Sequence, residues 1–302
     1  MTVRKSAAKK LISILQLGTV DYATALSLQQ RLVGLHKDGR IGDVLLLLEH
    51  TPVITLGRNA KAKNVLASPE VLARRGVEVF ECDRGGDVTF HGPGQLVGYP
   101  IFDLRGFPAQ DARRAHLGAV DYVRHLEEVL IRTCADFGIP TKRIPGLTGV
   151  WTDVKARVPA PAETAEQAEP KSASCGSETH PPAVPGDRNP QDAKIAALGV
   201  HISRGVTSHG FALNISTDLS YFNLIVPCGI ESKPVTSMAK ELGKAPDAQA
   251  VMHSVSRHFG QVFQSQILWL ESLDGLNPTV GVPMKPPMEL RELHREDETF
   301  WS

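Results

Sequence analysis

Three places in this 302-residue chain join residue types that do covalent chemistry to residue types that hold a backbone in place. Residues 84–94, RGGDVTFHGPG, set an arginine and a histidine among glycines. Glycine inside a strand or helix costs roughly 0.5–1 kcal/mol against alanine, and is kept where the backbone needs positive φ or a close approach. The stretch is therefore either a glycine-rich hairpin or a backbone wall against a ligand, with Arg84 and His91 as its polar contacts. Cys228, in LIVPCGIESKPVTS, follows a proline and precedes a glycine. A cysteine held in a loop is a better candidate nucleophile than one on a helix stripe. Lys194 opens the otherwise apolar strand KIAALGV. It is either an edge charge that snorkels to water, or a buried ammonium serving as a base or as a cation beside a thiolate.

Other chemistries find less support. Cys134 lies on an apolar helical stripe and reads as core, Cys175 lies in a segment without fixed neighbours, and Cys82 ends a strand beside the glycine stretch. The four cysteines form no C-x-x-C pair, so no zinc site is expected. Gly92 and Gly94 are followed by Gly98, one residue late for G-x-G-x-x-G, and by a strand rather than a helix; no P-loop pattern occurs. A formal charge of zero offers no footprint for nucleic acid. An acidic partner would need a local basic patch, for which Arg58, Arg84, Lys142 and Arg143 are placed in or near expected loops. No run approaches the ~20 apolar residues of a membrane span. The basic start MTVRKSAAKKLISILQLG makes a poor secretory signal, its apolar run being short. Scattered cysteines without a signal read as reduced thiols in the cytoplasm.

The elements that must position these residues are legible as periods and caps. Residues 21–38 have helical spacing, with Asp21 as N-cap and Gly39 past the end. VLLLLEH (44–50) reads as a buried strand and PVITLGR (52–58) as a second. Residues 68–75 read as a helix with Pro69 at its first position, and VEVFEC (77–82) alternates as a strand. QLVGYPIFDL continues as a strand, and 111–137 as the longest helix, with Leu117, Val120, Val123, Leu130, Ile131, Cys134 and Phe137 on or near one stripe. Strands are expected at 149–154, 194–203 and 206–216, and a last helix at 246–265. Residues 156–192 hold seven prolines, seven alanines and no Ile, Leu or aromatic residue. Such a segment cannot bury enough apolar surface to offset its ordering entropy, so it is expected to be a disordered insertion.

RGGDVTFHGPGQLVGYP closely resembles the signature of the octanoyltransferases of lipoate biosynthesis, the lipoyl/octanoyl transferase family. EHTPVITLGR (49–58), KIAALGVHISRGVTSHGFALNI (194–215) and FNLIVPCGI (222–230) are similar to that family's other blocks, in the same order. The resemblance covers roughly residues 11–265 apart from the insertion. It implies an α/β (α+β) fold, a mixed sheet packed with helices, like the catalytic domain of biotin and lipoate protein ligases. The catalytic domain would span 11–273, between a flexible tail at 1–10 and a loosely ordered, proline-containing tail at 274–302. The implied activity moves an octanoyl group from octanoyl-acyl carrier protein to a lysine of lipoyl domains, those of 2-oxoacid dehydrogenases and of the glycine cleavage H protein, with no cofactor and no metal. The resemblance puts the acyl thioester on Cys228 and its assisting lysine at Lys194. It puts substrate contacts at Arg84, Gly85, Gly86, Asp87, Val88, Thr89, Phe90 and His91, at Ala197, Leu198 and Gly199, and at Gly210, Phe211 and Ala212. Small residues at 197, 199, 210 and 212 would leave room for an unbranched acyl chain. The insertion, which ends just before Lys194, departs from the family, where the strand containing GVW leads fairly directly into the lysine strand. An ATP-dependent ligase of the same fold would leave the Cys228 block unexplained. A non-catalytic module that binds acyl carrier or lipoyl domain would bind without covalent acylation.

Overall fold

The computed structural model describes residues 10–109, 113–153, 192–227 and 233–276. The 156–192 segment lies outside them except for Asp192, as do residues 1–9 and 277–302. Cys228 and Cys175 also lie outside the described residues.

The chain enters as β1 (Leu11–Val20), helix α1 (Tyr22–Lys37) and β2 (Asp43–His50). A small unit follows: β3 (Val53–Leu56), α2 (Pro69–Arg74), β4 (Glu78–Glu81) and β5 (Val88–His91). Then come β6 (Gln95–Ile101), α3 (Ala119–Asp136), β7 (Thr141–Ile144), β8 (Leu147–Thr152), β9 (Lys194–Ser203) and β10 (Val206–Asn214). The described part closes with α4 (Met238–Leu242), α5 (Ala248–Val262) and β11 (Gln266–Leu270). Eight strands form one mixed sheet in the order β11-β1-β2-β6-β10-β9-β8-β7, and β4-β3-β5 form a second. Within the large sheet β1 runs parallel to β2 and to β11; its other pairings are antiparallel. This is the mixed α/β architecture expected from the sequence.

The run VLLLL in β2 is continuous because both faces of its strand are covered. Leu45 and Leu47 pack in the core under α3 and α5, while Val44, Leu46 and Leu48 pack under α1. Helix α1 begins where Asp21 caps it, its carboxylate accepting from the Thr24 amide at 2.8 Å. The long helix differs from expectation. It starts at Ala119 with Gly118 as N-cap, and Leu117 packs into the core from the preceding loop, its amide bonded to the Phe107 carbonyl. Val120 is exposed, so it leaves the expected stripe. Apolar residues at helical intervals extended the pattern across a loop that buries side chains of its own. Strand β4 differs as well: it is an edge strand with Val79 exposed, so its alternation marks no buried face. Strands β7 and β11 and the short α4 were not expected. Leu273 and Leu276 are buried against the α1-side core, so packed structure continues past residue 273. Among the described residues no helix is long and apolar enough to cross a membrane.

Candidate active site

The glycine stretch is not a hairpin. Its middle is β5, in the small sheet, and the turn Gly92-Pro93-Gly94 carries the chain into β6 of the large one. Between β5 and the β6-β10-β9 face lies a cavity of about 460 Å³, its open mouth included. Strand periodicity decides which residues reach it. On β5, Thr89 and His91 line the cavity, whereas Val88 and Phe90 turn into the core beneath the small sheet with Ile54 and Leu72. Arg84, Gly86 and Asp87 line it from the preceding loop. Gly85 does not; its amide is bonded to the Val200 carbonyl at 3.0 Å. The other wall is the antiparallel pair β9–β10, in which Ala197 faces Ala212, Leu198 faces Phe211 and Gly199 faces Gly210 across the ladder, and all six line the cavity. Of the fourteen expected contact residues, then, Gly85, Val88 and Phe90 stand away from the cavity, two of them because a strand's side chains alternate.

The two wall glycines also admit neighbouring backbone. A Cβ on Gly199 would stand 2.7 Å from the Gly85 carbonyl oxygen, and one on Gly210 2.1 Å from that of Gly98. Their lack of a side chain lets the β5-side loop and β6 close against this wall.

Lys194 is 6% exposed, which rules out the edge-charge reading. Strict alternation would place it with Ala196, on the core face. A bulge prevents that: Val150 pairs with Ala196 but Trp151 pairs with Lys194, leaving Ile195 as an extra residue on β9. The one-residue slip turns Lys194 to the side of Ala197. Its Nζ lies 4.8 Å from the centre of the Trp151 ring, in cation–π range. Gly149 makes way for its stem: φ there is +132°, and a Cβ would stand 3.2 Å from the lysine Cε. Backbone bonds to the Pro234 carbonyl and from the Thr236 amide tie Lys194 to the 234–236 segment. Lys194 lines a second cavity, of about 270 Å³, with Pro227, Gln95, Asn214, Phe222 and Val235. Thr89, Ala197 and Ala212 line both cavities, which therefore adjoin.

A buried polar network borders the larger cavity. Arg84, buried, donates to Thr55 Oγ1 and to the Thr55 and Gly85 carbonyls, all neutral oxygens. His50 donates from Nδ1 to the Val20 carbonyl at 2.8 Å and accepts at Nε2 from the Tyr99 hydroxyl at 2.6 Å. Tyr22 stacks on His91 at 6.3 Å between ring centroids. His209, which lines the cavity and is held at φ +54°, bonds the Asp83 carboxylate at 2.7 Å. Burial opposes ionisation of Asp83, but the hydrogen bond and charge of His209 hold its pKa below the usual value. Burial lowers the pKa of His209 itself. Among the described residues the thiols are Cys134, which burial pushes up to about 12, and Cys82, which donates to the Leu56 carbonyl. Of the four residues expected to form a basic patch, Arg84 is buried, Lys142 pairs with Asp153 and Asp192, Arg143 pairs with Glu127 and Glu128, and Arg58 is exposed.

The network makes stability depend on pH. Burial depresses His50 from 6.5 to about 4, and drives His91 well below its ordinary value, helped by the charges of His50 and Arg84. Between pH 6.5 and 4 the unfolded chain therefore binds more protons than the folded one. The His50 contribution, on the order of 3 kcal/mol, is complete above pH 6.5 and is lost as pH falls toward 4. The melting temperature should drop between pH 7.5 and pH 5, and His50→Gln should flatten part of that drop. An unchanged pH dependence in the variant would remove His50 as its source.

Tyr22, His50, Tyr99, Gln95, Asn214 and Trp151 were not singled out from sequence. Asn214 had a signal: it stands two residues past Ala212, hence on the same strand face. His50 stood in the EHTPVITLGR block but without an assigned role, and Tyr22 had no signal, since long-range packing brings both to His91.

The profile of the family described as Lipoyl protein ligase A/B catalytic domain matches residues 21–260. The chain is 55% identical to an octanoyltransferase of Koribacter versatilis, covering 95% of this chain and 98% of that one. It is 53% identical to an octanoyltransferase of Acidobacterium capsulatum, covering 90% and 98%. The fold is similar to that of the bipartite lipoate protein ligase of Thermoplasma acidophilum, with a TM-score of 0.60 at 14% identity over 96% of this chain and 92% of that one. It is similar too to a lipoate-protein ligase A bound with ATP, with a TM-score of 0.56 at 14% identity over 96% and 94%.

Proposed function

The chain belongs to the octanoyltransferases, acyltransferases of the lipoyl protein ligase A/B family, and on that footing we propose its route. It takes an octanoyl group from octanoyl-acyl carrier protein onto Cys228 and passes it to a lysine of a lipoyl domain, in 2-oxoacid dehydrogenases and glycine cleavage H protein, in the cytoplasm. The observation that supports this most is the buried ammonium of Lys194 in a cavity bordered by Pro227, the neighbour of Cys228, and adjoining the larger cavity across Ala197 and Ala212. The larger cavity takes the acyl chain; the smaller holds the reacting carbonyl.

A cysteine is only a few per cent thiolate near neutral pH, and an ammonium beside it raises that share. The Cys228 thiolate attacks the donor thioester carbon, the carbonyl π pair moves to oxygen, and collapse breaks the bond to the carrier sulfur. The departing thiolate takes a proton from Lys194. The acceptor amine then attacks the Cys228 thioester, gives its proton to Lys194, and expels the Cys228 thiolate as the amide forms. One nucleophile thus divides the transfer into two steps, and the amide, more stable than the thioester, sets its direction.

The test is transfer with purified components. Octanoyl-carrier and a lipoyl domain, without ATP, should give a lipoyl domain heavier by one octanoyl group. Transfer that instead requires ATP and free octanoate would identify a ligase.

A further inference from the structure

Asn214 sits in the Lys194 cavity with a hydrogen-bond donor to spare. The residue is 4% exposed. Its Nδ2 lies 2.9 Å from the Thr236 carbonyl oxygen, which can only accept, and its Oδ1 lies 2.9 Å from Gln95 Nε2. The amide orientation is thereby fixed: reversing it would set two oxygens against each other at Thr236. Gln95 is fixed in the same way, because its Nε2 also donates to the Phe90 carbonyl at 3.1 Å. Both Gln95 N–H groups are then used, and its Oε1 accepts from His91 Nδ1 at 2.7 Å. Asn214 has used one N–H of two. The second has no acceptor among the described residues, and the side chain lines the cavity that holds Lys194.

We infer that this second N–H of Asn214 donates to the acyl carbonyl oxygen as it becomes an oxyanion. The inference rests on the function proposed above. When sulfur bonds to the carbonyl carbon, the π pair goes to oxygen; Asn214 stabilises that charge by a hydrogen bond and transfers no proton. A donor held by two bonds on a central strand is already oriented, so it costs no reorganisation when the charge appears. The Thr89 hydroxyl lines the same cavity but turns freely about its C–O bond. Lys194, whose proton is needed for the departing sulfur, is then not required to serve the oxyanion as well.

The variant is Asn214→Ala in the full chain. Two rates on Cys228 separate the roles: acylation by octanoyl-carrier in a single turnover, and alkylation by iodoacetamide, which passes through no oxyanion. Acylation should fall about 10²–10³-fold, the usual loss on removing one oxyanion donor, while alkylation keeps its rate and pH profile. Equal losses in both would show that Asn214 only holds the 234–236 segment in place, and unchanged acylation would show that no donor is needed; either overturns the inference. Wild-type enzyme supplies an independent reading should the variant not fold. With carbon-13 in the octanoyl carbonyl, the C=O stretch of the acyl-enzyme should lie below that of an identically labelled octanoyl thioester in water, and an unshifted band would overturn the inference. Wild-type protein that takes no octanoyl group on Cys228, yet alkylates there normally, overturns the proposed route instead.

Discussion

Cys228→Ser should fold as the wild type does, accumulate no acyl-enzyme, and transfer octanoyl groups only at background rate. The loss should be close to complete because the substitution acts on both steps. A serine hydroxyl beside an ammonium stays protonated at neutral pH, where a thiol is already partly ionised, so attack on the donor thioester fails. An oxygen ester, if formed, would also hand its acyl group to an amine less readily than a thioester. Stability should hardly change, since the replacement is near in size. The assay is turnover with octanoyl-carrier and a lipoyl domain, with the melting temperature measured alongside. Transfer within tenfold of wild type would mean that the acyl group passes directly from carrier to lysine.

Lys194→Ala should give the second large effect. On the proposed route, removing the cation takes away the thiolate's neighbour and the proton carrier of both steps, and general acid–base groups typically contribute 10²–10⁴-fold. Acylation should slow by about that factor, and the alkylation profile of Cys228 should move up toward the reference value for cysteine, about 8.5. The double variant should be scarcely worse than Cys228→Ser, because the two groups act as a unit in the same two steps. Trp151 gives this experiment a structural control. Its ring underlies the ammonium, so a truncated lysine leaves space against an aromatic face, and the melting temperature reports that cost separately from the chemistry. Identical alkylation profiles in wild type and Lys194→Ala would remove the lysine from thiolate stabilisation.

What could be read in advance follows from how local each feature is. Strands β2, β9 and β10 and helices α1, α2 and α5 were legible because their apolar periods and caps lie within the segments themselves. Helix α3 was read too long because Leu117 is buried from a loop, and burial looks alike in sequence whether a helix or a loop supplies it. Strand β11 was missed because a short strand at a sheet edge, paired with β1 from the opposite end of the chain, carries little pattern of its own. At the site, the resemblance pointed to segments, and the structure sorted them by residue: Thr89 and His91 face the cavity while Val88 and Phe90 do not. The inward turn of Lys194 was one of two readings left open, since it depends on a bulge that alternation would not suggest. Tyr22, His50 and Tyr99 reach the site through tertiary packing alone.

The covalent intermediate is the centre of the account, and its mass tests it most directly. Wild-type protein incubated with octanoyl-carrier, in the absence of any lipoyl domain, should gain the mass of one octanoyl group. Peptide mapping should place the group on the fragment containing Cys228, hydroxylamine should remove it, and a lipoyl domain added afterwards should take it up. No adduct under conditions that support turnover, or an adduct on Cys82, would contradict the account.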